Sequence, residues 1–556
     1  MVQGNPRSRA AVLDSRCRGS APKGRLGNGL ISVSPPAGAL ALSDRPPNII
    51  YVYADDLGRG MLSCYGQKHF ETPNIDRVAG EGVRFTNFYG CIFCAPARAS
   101  LLTGLHDCHR GTWTFTNAGL YQKLSTGEIQ LEEITELLHT TGLQAGPDEV
   151  FLAQAAQHAG YVTAEIGKLE WGFATTAERV KRHGWDYHYG YYDHVRCHGF
   201  YPPYLWENGE MVDIPGNTRP DCGKAPEKES PENRELRWDM TGKAVYSQDL
   251  FDDKMLEFIR ANRDKPFFLF HPSQLPHGPI CVPEIDPAVA DAPDLTQYEK
   301  EYATMVLRLD RTVGLLLDEL ERLGIDDNTM FVFSSDNGHS VYYREDGRTD
   351  PSRNLKTGEP YDNIDTKMYS ELSGDVFDGN DGMAGLKFTC WEGGPRIPCM
   401  IRWPGKIAPG RVSNHLIANY DFFATLADIV GTPMPGGKDG ISFLPELVGQ
   451  PERQQPHDYI VFAAHSGPAI VDRDGWKLRF IRLPRENRYQ LYHLPDDYRE
   501  ENDLVWEARD VAARLSVDLL RECDGNFHNG TAEAHRIWLP GWNYYGSECD
   551  WRMRGS

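Results

Sequence analysis

The 556-residue chain reads as an α/β protein, with a large, mixed, mostly parallel sheet sandwiched by helices and a smaller C-terminal α+β subdomain. Three observations carry that expectation. Short β-branched and aromatic runs without polar alternation recur, as in strands buried on both faces of a parallel sheet. Stretches with apolar residues every three or four positions, the helical period, separate them. Charged or amide residues follow several of the strand-like runs directly, and the carboxyl ends of parallel strands are where such sheets bind ligands.

Residues 1–45 stand apart as a leader. Arg7, Arg9, Arg16, Arg18, Lys23 and Arg25 precede a weakly apolar stretch, Leu30 to Leu42, which Pro35 and Pro36 interrupt. A secretory signal has a continuous apolar centre, so a targeting leader and a disordered one both stay open. The large domain is expected over residues 46–450. Its first strand, Asn48 to Tyr53, ends at Asp55-Asp56. A helical pattern, Val150 to His158, leads to a strand at Tyr161 to Ile166 that stops at Gly167-Lys168. Pro266 to Phe270 runs into a loop carrying His277. A long amphipathic helix, Tyr298 to Leu323, precedes the strand Met330 to Phe333, which ends near Asp336-Asn337. Residues 340–382 lack a clear period and read as an insertion. Over residues 451–535, three strand-like runs and a helical pattern from Val505 to Cys523 give the smaller unit, and 536–556 form a tail.

Composition excludes several classes. The net charge of −21 and the lack of long basic runs argue against a nucleic-acid binder. No apolar stretch is long enough to span a bilayer. The 12 cysteines are scattered, and Cys91 with Cys94 forms a lone pair, so neither zinc fingers nor a disulfide scaffold is indicated, although individual disulfides stay open.

Residues 94 to 104 read Cys-Ala-Pro-Ala-Arg-Ala-Ser-Leu-Leu-Thr-Gly. Pro96 suits a first helical turn and the following residues are mostly good helix formers, so Cys94 belongs at a helix N-terminus, where free amides favour an anion. Arg98, one turn on, can reach back toward it. This segment resembles the CxPxR…LTG signature of the type I sulfatases, in the alkaline phosphatase superfamily, and the resemblance runs from about Pro46 to Leu504. It implies that Cys94 is oxidised to formylglycine by a formylglycine-generating or anaerobic maturation enzyme. It also implies an exported protein.

The opening PNIIYVYADDLG looks like the family's first strand, and SSDNG like its partner, which maps a metal site onto Asp55, Asp56, Asp336 and Asn337. All four are oxygen donors, suiting Ca²⁺ or Mg²⁺ rather than zinc. Lys168 and Lys387 match the sulfate-binding lysines, and His277 the histidine near the leaving-group oxygen. One departure is plain: where the family often reads GKWHLG, this chain has Gly167-Lys168-Leu169-Glu170-Trp171-Gly172. Either Glu170 takes the histidine's part as base when sulfate is expelled, or another histidine does, for which His106 is a candidate.

The reaction implied is sulfate-ester hydrolysis, with the hydrated aldehyde attacking sulfur and His277 protonating the departing alcohol. The aromatic and histidine-rich segment Tyr187 to Trp206, with His198, reads either as a sugar-binding surface or as core packing. A sulfated carbohydrate is the expected substrate. Two alternatives remain: a phosphonate or phosphate ester hydrolase of the same superfamily, and a non-catalytic glycan-binding protein with Cys94 unmodified.

Overall fold

The computed structural model describes residues 45–109, 119–141, 146, 148–169, 172–218, 235, 237–344, 367–464, 467–482 and 487–531. The leader up to residue 44, Glu170, the middle of the expected insertion and the tail beyond 531 lie outside these residues.

The strands are β1 Asn48–Ala54, β2 Val83–Phe85, β3 Phe88–Tyr89, β4 Val162–Gly167, β5 Tyr187–Gly190, β6 Tyr204–Glu207, β7 Glu210–Asp213, β8 Phe267–Pro272, β9 Thr329–Ser335, β10 Cys399–Arg402, β11 Arg411–Ser413, β12 Ile417–Ala418, β13 Tyr459–Phe462, β14 Ala469–Asp472, β15 Trp476–Arg482 and β16 Asn487–His493. Ten of them form one sheet in the order β11-β2-β10-β9-β1-β8-β4-β5-β6-β7. Its centre is parallel: β1 pairs with β8 and β9, and β4 with β8 and β5. β10 joins β9 antiparallel, and β6 and β7 extend the other edge as antiparallel strands. The expected mixed, mostly parallel sheet is therefore present. Parallel pairing makes β1, β4, β8 and β9 all end on one edge, so the residues after them converge.

The helices used below are α1 Pro73–Gly80, α2 Cys94–Thr103, α3 Leu152–His158, α4 Ser247–Asn262, α5 Gln297–Leu323, α6 Asp421–Val430 and α7 Arg509–Glu522. α5 starts at a capping box, Thr296 and Glu299 satisfying each other's backbone amides, and stops at Gly324 with φ 65°. Its apolar face packs into the main core, which takes in Ile50, Val52, Leu269, Phe331 and Phe333 from the central strands and Met255 and Ile259 from α4. Asp310 on α5 accepts from the amides of Asn74 and Ile75 at 3.0 and 2.8 Å, capping α1 and fixing the two helices together.

The C-terminal part is a four-stranded antiparallel sheet, β13-β14-β15-β16, against which α7 packs through Leu515 and Leu519. The run from Pro468 to Ile481 is a hairpin turning at Gly475, with φ 86°. The expected helix from Val505 begins only at Arg509, because residues 505–507 form a turn. Among the described residues, no helix is long and apolar enough to cross a membrane.

Candidate active site

Asp55 and Asp56 leave β1, and Asp336 and Asn337 leave its neighbour β9, all four fully buried. The Asp56 amide donates to Asp336 Oδ1 at 3.1 Å, and the Asn337 side-chain amide to Asp56 Oδ1 at 2.8 Å, so the two strand ends interlock. Asp56 holds φ 59°, a left-handed turn that redirects the chain directly after the strand.

Cys94 is the first residue of α2, preceded by the extended Phe93. α2 is buried along its whole length and stops at Gly104, where φ is 70°. The sulfur of Cys94 and a carboxylate oxygen each of Asp55 and Asp336 lie within 4.8 Å of one another. The helix start and both acidic strand ends therefore meet in one place. Arg98, one turn into α2, donates through Nη2 to Asp336 Oδ2 at 3.0 Å and lies 3.8 Å from Asp55 Oδ1. Its Nε and Nη1 are buried with no hydrogen-bond partner.

Two lysines complete the centre. Lys168, delivered by β4, is paired with Asp55 and lies 3.3 Å from His198 Nε2. Lys387 donates to Asp56 Oδ2 at 2.8 Å and lies 3.1 Å from His277 Nε2. The Lys387 backbone is held by the His339 carbonyl at 2.9 Å, and Phe388 donates to the Ile92 carbonyl at 2.7 Å, which ties this loop to the start of α2. His277 Nδ1 donates to the Gly278 carbonyl at 2.5 Å, leaving Nε2 facing Lys387 and, at 3.3 Å, Asp56.

Electrostatics follow from this crowding. Burial, with Asp55 and Asp56 nearby, pushes Asp336 up to about 8 against the pull of Arg98. Burial also raises Asp56, yet Lys387, Tyr342 and Asn337 outweigh it and hold that carboxyl below its ordinary range. The Cys94 thiol is raised by burial more than Lys168 and Lys387 lower it. A buried, protonated thiol is a poor nucleophile.

The donor set fits a hard cation. Three carboxylates and one amide converge, while Asp55 Oδ1 and Asn337 Oδ1 are buried without a hydrogen-bond partner. A divalent ion would satisfy both orphaned oxygens and relieve the like-charge repulsion.

Of the residues expected from the sequence, Cys94, Arg98, Asp55, Asp56, Asp336, Asn337, Lys168, His277 and Lys387 gather here. His198 joins them: its ring lies 4.0 Å from that of His277 and beside Lys168, a position inside the charged centre rather than on an open sugar platform. The aromatic segment around it divides, with Tyr189, Tyr191, Phe200 and Tyr201 in the core. His106 does not join. Its ring stacks on His109 at 4.0 Å and pairs with Glu522 Oε2 at 3.3 Å, and none of its described contacts is with the residues above. Glu170 lies outside the described residues.

Sequence reasoning missed Tyr342, which donates to Asp56, and His339 and Asn380 behind it, where Asn380 Oδ1 accepts from the His339 amide at 2.9 Å. Tyr342 and Asn380 come from the stretch read as an aperiodic insertion, and His339 directly precedes it. The only signal available was its density of Gly, Asp, Asn and Tyr.

Comparison with known proteins adds to this geometry. Residues 47–432 match the sulfatase family model, and residues 386–522 match the model for the C-terminal part of N-sulphoglucosamine sulphohydrolase. The chain is 27% identical over 530 residues to an N-acetylgalactosamine-6-O-sulfatase of Bacteroides thetaiotaomicron, covering 85% of this chain and 92% of that one. It is 31% identical over 412 residues to human N-acetylgalactosamine-6-sulfatase, covering 73% and 66%. Among solved structures, a 6S-sulf protein from glycosaminoglycan metabolism in Bacteroides thetaiotaomicron superposes with a TM-score of 0.64 at 25% identity, covering 86% of this chain and all of that one.

Proposed function

Since the chain belongs to the sulfatase family, the sulfuric ester hydrolases, we infer that it removes sulfate from a sulfated carbohydrate, with an oxidised Cys94 as nucleophile. The observation that carries the inference is the meeting of Cys94, three carboxylates and three basic side chains in one buried centre. Relatives named for N-acetylgalactosamine 6-sulfate support a sugar substrate and make that sulfate the first to test.

Asp55, Asp56, Asp336 and Asn337 would hold a hard divalent ion, Ca²⁺ or Mg²⁺, which supplies positive charge beside the sulfate. Formylglycine at position 94 would supply a hydrated aldehyde, a nucleophile a buried thiol cannot match. The chain's own residues do the rest. Lys168, Lys387 and Arg98 bind and orient the sulfate oxygens, and the buried Nε and Nη1 of Arg98 stand ready as donors. At an effective dielectric near 20, each unit charge about 4 Å away contributes on the order of 4 kcal/mol. Exposed charges beyond roughly 8 Å are screened, so the net −21 does not decide binding. His277, its Nδ1 proton held by the Gly278 carbonyl, presents Nε2 to the leaving oxygen and, as the imidazolium, gives up the Nε2 proton to it, becoming neutral imidazole. His198 adds a second imidazole beside Lys168.

The test is sulfate release from a panel of sulfated mono- and oligosaccharides by matured, metal-replete protein, with phosphate esters of the same alcohols alongside. Release from N-acetylgalactosamine 6-sulfate is expected, and Cys94→Ala abolishes it without unfolding the protein. Faster phosphate than sulfate release, or full activity in Cys94→Ala, overturns the reading.

A further inference from the structure

Cys108, in the segment after α2, and Cys523, directly after α7, are both fully buried and share one apolar cluster with Leu515, Leu519 and Phe480. Their neighbours in the chain meet on either side of them. His106, two residues before Cys108, lies 3.3 Å from Glu522, the residue before Cys523. His109, the residue after Cys108, lies 3.6 Å through Nδ1 from Asp524, the residue after Cys523. Backbone contacts pin both segments. The Ala463 amide donates to Asp107 Oδ1 at 2.7 Å, the His106 amide to Asp439 Oδ2 at 2.8 Å, and Asn529 Nδ2 to the Cys523 carbonyl at 2.8 Å. Two cysteines far apart in sequence are thus held against each other between two pairs of charged or titratable partners.

Burial pushes the Cys108 thiol well above its ordinary value, and its hydrogen bond with Cys523 raises it further. As thiols the pair contributes little, since S–H is a weak donor and sulfur a weak acceptor. Once buried and protonated they are also inert. Chemistry at this pair therefore belongs to the folding chain, before α7 has packed. Where a low-molecular-weight disulfide is supplied, the thiolate of one cysteine attacks it and expels a small thiolate. The second cysteine, as thiolate, then displaces the other small thiolate from the mixed disulfide. One S–S bond forms as another breaks, and two protein thiols are oxidised while the reagent is reduced to two thiols. Cys91 is a third thiol in this neighbourhood, but its side chain is engaged by Asp107 and Ser100.

We propose that Cys108 and Cys523 form a disulfide that ties the segment after α2 to the end of α7. The loop it closes takes in most of the large domain, and in chain-entropy terms a cross-link around a long loop restricts the unfolded chain most. The inference does not depend on the substrate. In the test, the full chain is folded once with glutathione disulfide and once with reduced glutathione alone, then alkylated in denaturant and digested without reductant. In the first sample the peptides carrying Cys108 and Cys523 are recovered joined, two hydrogens lighter than their sum; in the second both are alkylated. The first sample also melts about 5 °C higher. Cys108→Ala and Cys523→Ala each remove that difference between the samples, whereas a cavity left by either substitution lowers both alike. Alkylation of both thiols after folding with the disulfide, a link between Cys91 and Cys108, a glutathione adduct at either position in place of the link, or equal melting of the two wild-type samples overturns the proposal. If neither variant folds, the peptide map and the two wild-type melting curves decide.

Discussion

At position 277 the imidazole is oriented before any substrate arrives, because its Nδ1 is committed to the carbonyl of Gly278. His277→Ala is expected to lower kcat by about 10²–10⁴ on sugar sulfates, the range for a lost general acid. The loss should shrink on aryl sulfates whose phenol leaves without help. A uniform loss across leaving groups in steady-state kinetics would remove the proton-donor role. The four oxygen donors make a second prediction. Chelation should abolish activity and lower Tm, and Ca²⁺ or Mg²⁺ should restore both, since Asp336 otherwise sits against two more carboxylates. A thermal scan with and without chelator reads the result. These residues were legible in the sequence because each follows a strand-like run or sits in the CxPxR segment. Tyr342, His339 and Asn380 were not, because contacts between distant parts of the chain, Tyr342 with Asp56 and the His339 amide with Asn380, rather than any local period, place them.

Two element junctions carry consequences of their own. Lys477 on β15 is fully buried, donates to Glu392 Oε1 and forms an ion pair with Glu500 Oε1, each at 2.9 Å. Glu392 also accepts from Tyr89 at 2.7 Å, so the C-terminal sheet is bolted to the loop that carries Lys387. Lys477→Met strands two buried carboxylates and should cost about 3–5 kcal/mol in denaturant unfolding. At the other junction, His106 and His109 after α2 meet Glu522 at the end of α7 and Asp439. The His106 hydrogen bond holds Glu522 at about 2, against burial. Burial lowers His109, but Asp439, Asp524 and Glu522 outweigh it and raise the imidazole above its ordinary value. Glu522 therefore adds stability above its unfolded pKa of about 4.3, and that is lost as pH falls toward 2. The His109 contribution is complete below about 6.5 and is lost as pH rises through its raised value. Tm measured against pH should be flatter below pH 4.3 in Glu522→Gln and flatter on the alkaline side in His109→Gln; unchanged profiles would show that this junction bears no load. Neither junction was legible from sequence, since His106 shows no period and Lys477 reads as an ordinary strand lysine.

Across the whole molecule, what could be read in advance was the parallel centre. β1, β8 and β9 have both faces covered and carry apolar runs at Ile49–Ala54, Phe267–Phe270 and Met330–Phe333, while β4, though buried, is interrupted by Thr163 and Glu165. The flanks escaped because they are short or mixed. β10 has four residues, β7 is largely exposed, and β5 hides in a stretch whose aromatics serve core and site alike. The sheet is also assembled out of chain order, with β1 lying between β8 and β9.

That ordering sets a clock for Cys94, which is only 3% exposed once the molecule is complete. The strand that closes over β1 ends at Ser335, 241 residues downstream of Cys94. At about 5–20 residues per second a ribosome needs roughly 12–50 s to cover that distance. Any catalyst that must grip the thiol has to finish within that interval or act on an unfolded chain, so the yield of competent molecules should follow the ratio of synthesis speed to catalyst supply.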